Sequence, residues 1–435
     1  MTTRTAYVNA RLLDPASGLD APAGPRGGLL IDGEQIAAIG PDIFKDGVPS
    51  GAAVVDCGGL CLAPGLVDMR VQVREPGEEH KETIRTAGEA AVAGGVTSMV
   101  CLPNTDPVID DVATVEFVAR RARKIGLAKI YPYAAVTKNL EGKELSEMGM
   151  LAEAGALAFT DGTKAIRNAL SLRRALSYAA TFGALIVQHP EEPSLAEGGV
   201  MNEGEIATRM GLAGIPIITE VLMLERDMRL VELTGGRYHA AHVSTALGIE
   251  VIRKAKAKGL SVTCDTAPPY FALNELAVGD YRTFAKLSPP LRSEEDRQAV
   301  IAALADGTID AIASDHAPQD ADSKRLPFAL AESGGVGLET LLAVTLELYH
   351  NRHLGLLDAL SLVTDGPADV LGLTAGRLKA GLAADFILFD PERGWKVDPQ
   401  TFRSKSKNSP FDGRLVQGLV LRTVVDGRTV FLRDA

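Results

Sequence analysis

Short apolar runs alternate with longer stretches of helical period through most of this chain. VTSMVCLPN is followed by DVATVEFVARRARKIG, and LIVQH by a helical pattern through 217–233. YHAAHVS is followed by LGIEVIRKAKAKG, and AIASDH by VGLETLLAVTLELYH. A continuous short apolar run is the pattern of a strand buried on both faces, and the segments between repeat near 3.6 residues. Strand–helix alternation predicts a parallel β/α sheet. Its extent, roughly 310 residues, fits a (β/α)₈ barrel. A doubly wound sheet is the alternative, but no Gly-x-Gly-x-x-Gly follows an early strand. The ends read differently. AYVNARLLD, GGLLIDGEQIAAIG and AAVVDCGG near the start, and ADFILFD and LVQGLVLRTVVDGRTVF near the end, are short strands punctuated by turns. Neither end has strands enough for a core of its own. The expected organisation is therefore α/β: a barrel over 62–372, with 1–61 and 373–435 joined as one small composite β-sandwich.

Composition narrows the function classes. The chain has 435 residues, 46% hydrophobic and 23% charged, the balance of an ordinary globular protein. A net charge of −11 leaves no basic footprint for nucleic acid. No apolar run is long enough to span a membrane, and MTTRTAYVNARLLDPASG lacks the basic-then-apolar order of a signal peptide. Cys57, Cys61, Cys101 and Cys264 are scattered without Cys-x-x-Cys spacing. Together these features predict a cytoplasmic protein with reduced thiols and no structural zinc at the cysteines.

Barrel proteins carry their chemistry at the C-terminal ends of the strands. Read in order, those ends give Arg70-Val-Gln72-Val-Arg74, Pro103-Asn104-Thr105, Phe159-Thr160-Asp161-Gly162, Gln188-His189-Pro190-Glu191, His239-Ala-Ala-His242 and Ser314-Asp315-His316-Ala317-Pro318. Singly, each is weak, since a lone histidine at a strand end is more often a hydrogen-bonded structural residue than a ligand. In this order, with Arg74-Glu-Pro-Gly77, Met201-Asn-Glu-Gly204, Pro289-Pro-Leu-Arg292 and Ser404-Lys-Ser-Lys-Asn408-Ser-Pro410, the chain resembles the class I dihydroorotase and cyclic-amide hydrolase family over its whole length.

That resemblance implies two zinc ions that activate water and polarise a ring carbonyl. The first would be held by a strand-one His-x-His and the strand-eight aspartate, here Asp315. The second would be held by His189 and His242, with Asp161, or more remotely a carboxylated Lys164, as the bridge. Arg74 and Asn104 match the pair that grips a substrate carboxylate, a task suited to a guanidinium fork. Arg74 bracing its own loop at Glu75 is the structural alternative. Ser288 stands where the family has a substrate-binding asparagine, and Gln319 where it has a histidine.

The departure lies in the first metal site. The two histidines of His-x-His are Arg70 and Gln72. Arginine stays ionised in a protein. At about 4 Å from a divalent ion in an effective dielectric of about 20, the repulsion is roughly 8 kcal/mol. The expectation is an empty first site, with Arg70 paired to Asp315 or Asp161 as a stand-in for metal, and at most one zinc in the protein. Asp315 then reads as an ion-pair partner; beside a metal-bound water it would be the general acid/base.

Three functions remain open. One is a silent or feeble dihydroorotase homologue serving as structural partner of aspartate carbamoyltransferase. The second is an active mononuclear zinc hydrolase that interconverts dihydroorotate and N-carbamoyl-aspartate. The third is a plain oligomeric barrel holding an unrelated ligand. A homo-oligomer is expected in each case.

Overall fold

The computed structural model describes residues 4–434. Its centre is a ring of parallel strands. Leu66–Val71 pairs with Val96–Cys101, which pairs with Lys129–Pro132. Leu185–Gln188, Arg237–Ala240, Val262–Thr266 and Ala311–Ile312 follow in order as a second parallel set. Single bridges complete the circuit: Phe159 pairs with Ala134 on one side and Ile186 on the other, and Val71 pairs with His316. The chain is thus a (β/α)₈ barrel whose fourth strand is reduced to the neighbourhood of Phe159. Helices separate the strands, among them Val112–Ile125, Ile218–Thr234, Ala246–Ala257 and Leu341–His350.

Residues from both ends of the chain build the second layer. A six-stranded sheet runs in the order Arg428–Leu432, Leu415–Val425, Phe386–Lys396, Cys61–Pro64, Arg11–Asp14, Leu19–Ala21. A four-stranded sheet of Gln35–Gly40, Gly28–Asp32, Arg4–Val8 and Ala53–Asp56 packs against it. Tyr7 from one sheet meets Phe386 from the other edge to face, ring centroids 4.8 Å apart. The strand Phe386–Lys396 explains the apolar run ADFILFD. Phe386 and Leu388 enter the core shared by the two sheets, while Ile387 and Phe389 enter the barrel core. Alternate side chains leave a strand on opposite faces, and both faces are buried here.

The barrel's first loop is anchored by the C-terminal segment. Thr83 caps the helix Ile84–Ala93 in a reciprocal capping box with Thr86. Just before the cap, Glu82 is fully buried. It accepts the Ser404 hydroxyl, the Lys405 amide at 3.1 Å and the Thr86 hydroxyl, and faces His316 Nε2 at 3.5 Å. The Ser404–Pro410 motif therefore clamps the loop that carries Arg74. Glu82→Ala leaves several buried donors without an acceptor, and we expect a loss of about 2–4 kcal/mol in urea unfolding. A loss below about 0.5 kcal/mol would show that the clamp is dispensable.

Candidate functional site

Buried carboxylates fix the backbone at the mouth of the barrel. Asp68 Oδ1 accepts the amides of Arg70 and Ser314, both at 3.1 Å. Asp265 accepts the His242 amide at 2.5 Å and pairs with His239 Nε2 at 3.1 Å. Glu220 accepts the amides and hydroxyls of both Ser244 and Thr245. This support matters because Arg74, His242 and Asp315 hold left-handed φ values of 60°, 39° and 49°. Such conformations cost about 1–3 kcal/mol each and persist where neighbours over-determine them.

Arg70 and Asp315 form the centre. Arg70 is 2% exposed, and its Nε donates to Asp315 Oδ1 at 2.8 Å, with an Nη2 contact to the Gly162 carbonyl at 3.4 Å. Asp315 Oδ2 meets His242 Nδ1 at 3.1 Å, and His242 Nε2 meets His189 Nδ1 at 2.7 Å. His189 Nε2 then faces Glu191 Oε2 at 3.6 Å. The protonation states follow from the charges. Burial raises the Asp315 carboxyl, but His242 and Arg70 outweigh it and hold it well below the usual range. An ionised Asp315 can only accept, so His242 donates from Nδ1. Burial, helped by the Arg70 charge, lowers the His242 pKa to about 4, so the ring is neutral. Its Nε2 therefore accepts the Nδ1 proton of His189.

The other expected residues are placed unevenly. Arg74, Gln72, Asn104, Ser288 and Gln319 line the same cavity of about 450 Å³ as Arg70 and Asp315. Asp161 is held elsewhere, accepting the Thr137 amide at 2.9 Å and hydroxyl at 2.6 Å. Lys164 is exposed on the rim of a neighbouring hollow. Arg74 donates to Glu78 at 2.6 Å, and Glu75 instead takes Arg121 and the Ile84 amide. Reading by motif missed Glu78, Lys81 and Thr137, and gave Glu191 only as part of the fifth strand's end. Glu78 had a visible signal, an acid four residues after Arg74; Thr137 had none.

This arrangement does not fit a zinc site. Among the described residues, no three His, Cys, Asp or Glu side chains gather as a metal-ligand set. The lone pair of His242 Nε2 is taken by His189, Asp161 is turned to Thr137, and a guanidinium occupies the position facing Asp315.

Comparison with known proteins gives the family. Residues 59–247 match the dihydro-orotase-like family model, and 337–431 match an amidohydrolase family model. A dihydroorotase of Anaplasma phagocytophilum is 48% identical over 432 residues, covering 98% of this chain and 95% of that protein. The chain belongs to the dihydroorotase family. A second dihydroorotase, from Syntrophotalea carbinolica, is 45% identical, with 98% of both chains covered. Among solved structures, the L-hydantoinase of Arthrobacter aurescens superposes with a TM-score of 0.87 at 26% identity, covering 99% of this chain and 96% of that one. A dihydropyrimidinase from Brevibacillus agri, at 23% identity, covers 98% of this chain and 95% of that one with a TM-score of 0.81. This dihydroorotase-family chain thus keeps the barrel and the strand-end framework while carrying Arg70 in its first strand. Among the described residues, no helix is long and apolar enough to cross a membrane.

Two outcomes follow from this geometry. Arg70→Met leaves the partly buried Asp315 carboxylate with only its His242 bond and should cost about 2–3 kcal/mol. Adding Asp315→Asn should recover most of that loss, as read in a double-mutant cycle of urea unfolding. Strict additivity would mean that the pair is not coupled. The second outcome is a pH dependence. Between about 6.5 and about 4 the unfolded chain takes up a proton that the folded His242 refuses. Stability therefore falls as pH drops through that window, by about 2 kcal/mol at pH 5. His242→Gln should flatten that part of the slope; an unchanged slope would exclude His242 as its source.

Proposed function

We propose that this dihydroorotase-family protein of pyrimidine biosynthesis is catalytically silent or strongly impaired, and that it serves as a structural partner of aspartate carbamoyltransferase in a homo-oligomeric framework. The observation that carries this reading is the pairing of buried Arg70 with partly buried Asp315 at 2.8 Å. Cyclic-amide hydrolysis needs an activated water and a stabilised oxyanion, and such electrostatic contributions are worth several kcal/mol. A guanidinium bound to Asp315 supplies neither a bound water nor a free carboxylate base. His242 donates to that same carboxylate, and its second nitrogen is committed to His189. The framework motifs, by contrast, are engaged in holding the loops in place. A fold kept with its chemistry disarmed suits a scaffold.

The experiment has two parts. Dihydroorotate hydrolysis by zinc-supplemented protein should run at least about a thousandfold below an ordinary turnover near 10 per second, equivalent to about 4 kcal/mol of lost transition-state stabilisation. Ordinary turnover abolished by Asp315→Ala would instead establish the mononuclear zinc hydrolase. Tagged protein should also co-purify with aspartate carbamoyltransferase from cells of its own source. Purification alone, at every salt concentration tried, would remove the scaffold role.

A further inference from the structure

The cavity beside Arg70 offers cations that are already spoken for. Arg74 lines it and is buried, but its Nη1 donates to Glu78 Oε2 at 2.6 Å and its Nε to the Pro318 carbonyl at 3.2 Å. Lys81, on the same cavity wall, holds the other oxygen of that carboxylate at 2.5 Å. Asn104 gives its amide to Gln72 Oε1 at 3.1 Å. Glu332 also lines the cavity and adds a second negative charge near Arg74. Two cations therefore face two carboxylates of the same chain, which leaves no net charge there to attract an anion.

We infer that Glu78 sets the ligand specificity of this cavity: its carboxylate occupies the Arg74–Lys81 grip and excludes ring ligands that carry a carboxylate. The inference rests on reading the cavity as a disarmed cyclic-amide site. A carboxylate tethered four residues from the arginine acts at a high effective concentration, so a free ligand must displace it before gaining anything. Protonation offers no easy release at neutral pH. Burial raises the Glu78 pKa, but Lys81 and Arg74 outweigh burial and keep the group below its ordinary value. Gln72 acts in the same sense on a smaller scale, since it accepts the amide hydrogen that Asn104 would turn to a ligand.

The test is calorimetric titration of the full-length protein with dihydroorotate and with its uncharged analogue dihydrouracil. Wild-type protein should bind the carboxylated ring no more tightly than the neutral one; a clear preference for dihydroorotate overturns the inference. Glu78→Ala should bind dihydroorotate about tenfold or more tightly than wild type, the gain typical of a freed charge-assisted pair. Glu78→Gln, close in shape, serves if the alanine variant fails to fold, with circular dichroism confirming the fold of each. Adding Arg74→Met should erase the gain. No gain in a folded Glu78 variant, or a gain that survives loss of Arg74, overturns the inference. Co-purification with aspartate carbamoyltransferase judges the scaffold reading separately, so the two can fail independently.

Discussion

A single ion pair, between a buried arginine and a partly buried aspartate, organises the mouth of this barrel. Arginine cannot discard its charge, so Arg70 obliges Asp315 to remain ionised inside the protein, and the two offset each other's desolvation. From that pair the rest follows in order. His242 must donate to the carboxylate, must then accept from His189, and must stay neutral. One substitution on the first strand therefore decides the protonation of groups that come from the fifth, sixth and eighth strands.

Two kinds of constraint act at this end of the barrel. Asp68, Asp265, Glu220 and Glu82 make backbone and hydroxyl hydrogen bonds that hold loops in place. Those contacts serve the fold whether or not any reaction occurs. Arg70, Gln72, Glu78 and Thr137 instead engage the side chains of Asp315, Asn104, Arg74 and Asp161. The first set holds the mouth of the barrel in place, and the second fixes which side chains pair within it.

The architecture was legible because periodicity reports burial directly. Runs such as VTSMVC and LIVQ could only be strands covered on both faces, and the helical stretches between them had the length to cover them. The short fourth strand was legible only through the motif at its end, since a bridge at Phe159 leaves almost no pattern. The site was legible to the level of which residues line it. Partner choice was not. Whether Asp161 turns to Thr137 or into the barrel depends on one hydroxyl 24 positions away. Whether Arg74 braces Glu75, the structural alternative to a carboxylate grip, or Glu78 depends on the path of the loop. Hydrophobic spacing carries no information on either choice.

The sheet shared by the two chain ends has a consequence for the birth of the molecule on the ribosome. Cys61–Pro64 sits between Arg11–Asp14 and Phe386–Phe389, so one of its edges has no partner until about 320 further residues have been made. At about 5–20 residues per second, the intervening barrel takes on the order of tens of seconds to emerge. During that interval the N-terminal strands expose an unpaired edge and half of an apolar core, the surface that chaperones hold and neighbouring nascent chains can capture. Closure of that edge is thus governed by the strand Phe386–Lys396, and a chain cut before it would leave Cys61–Pro64 without one of its two partners.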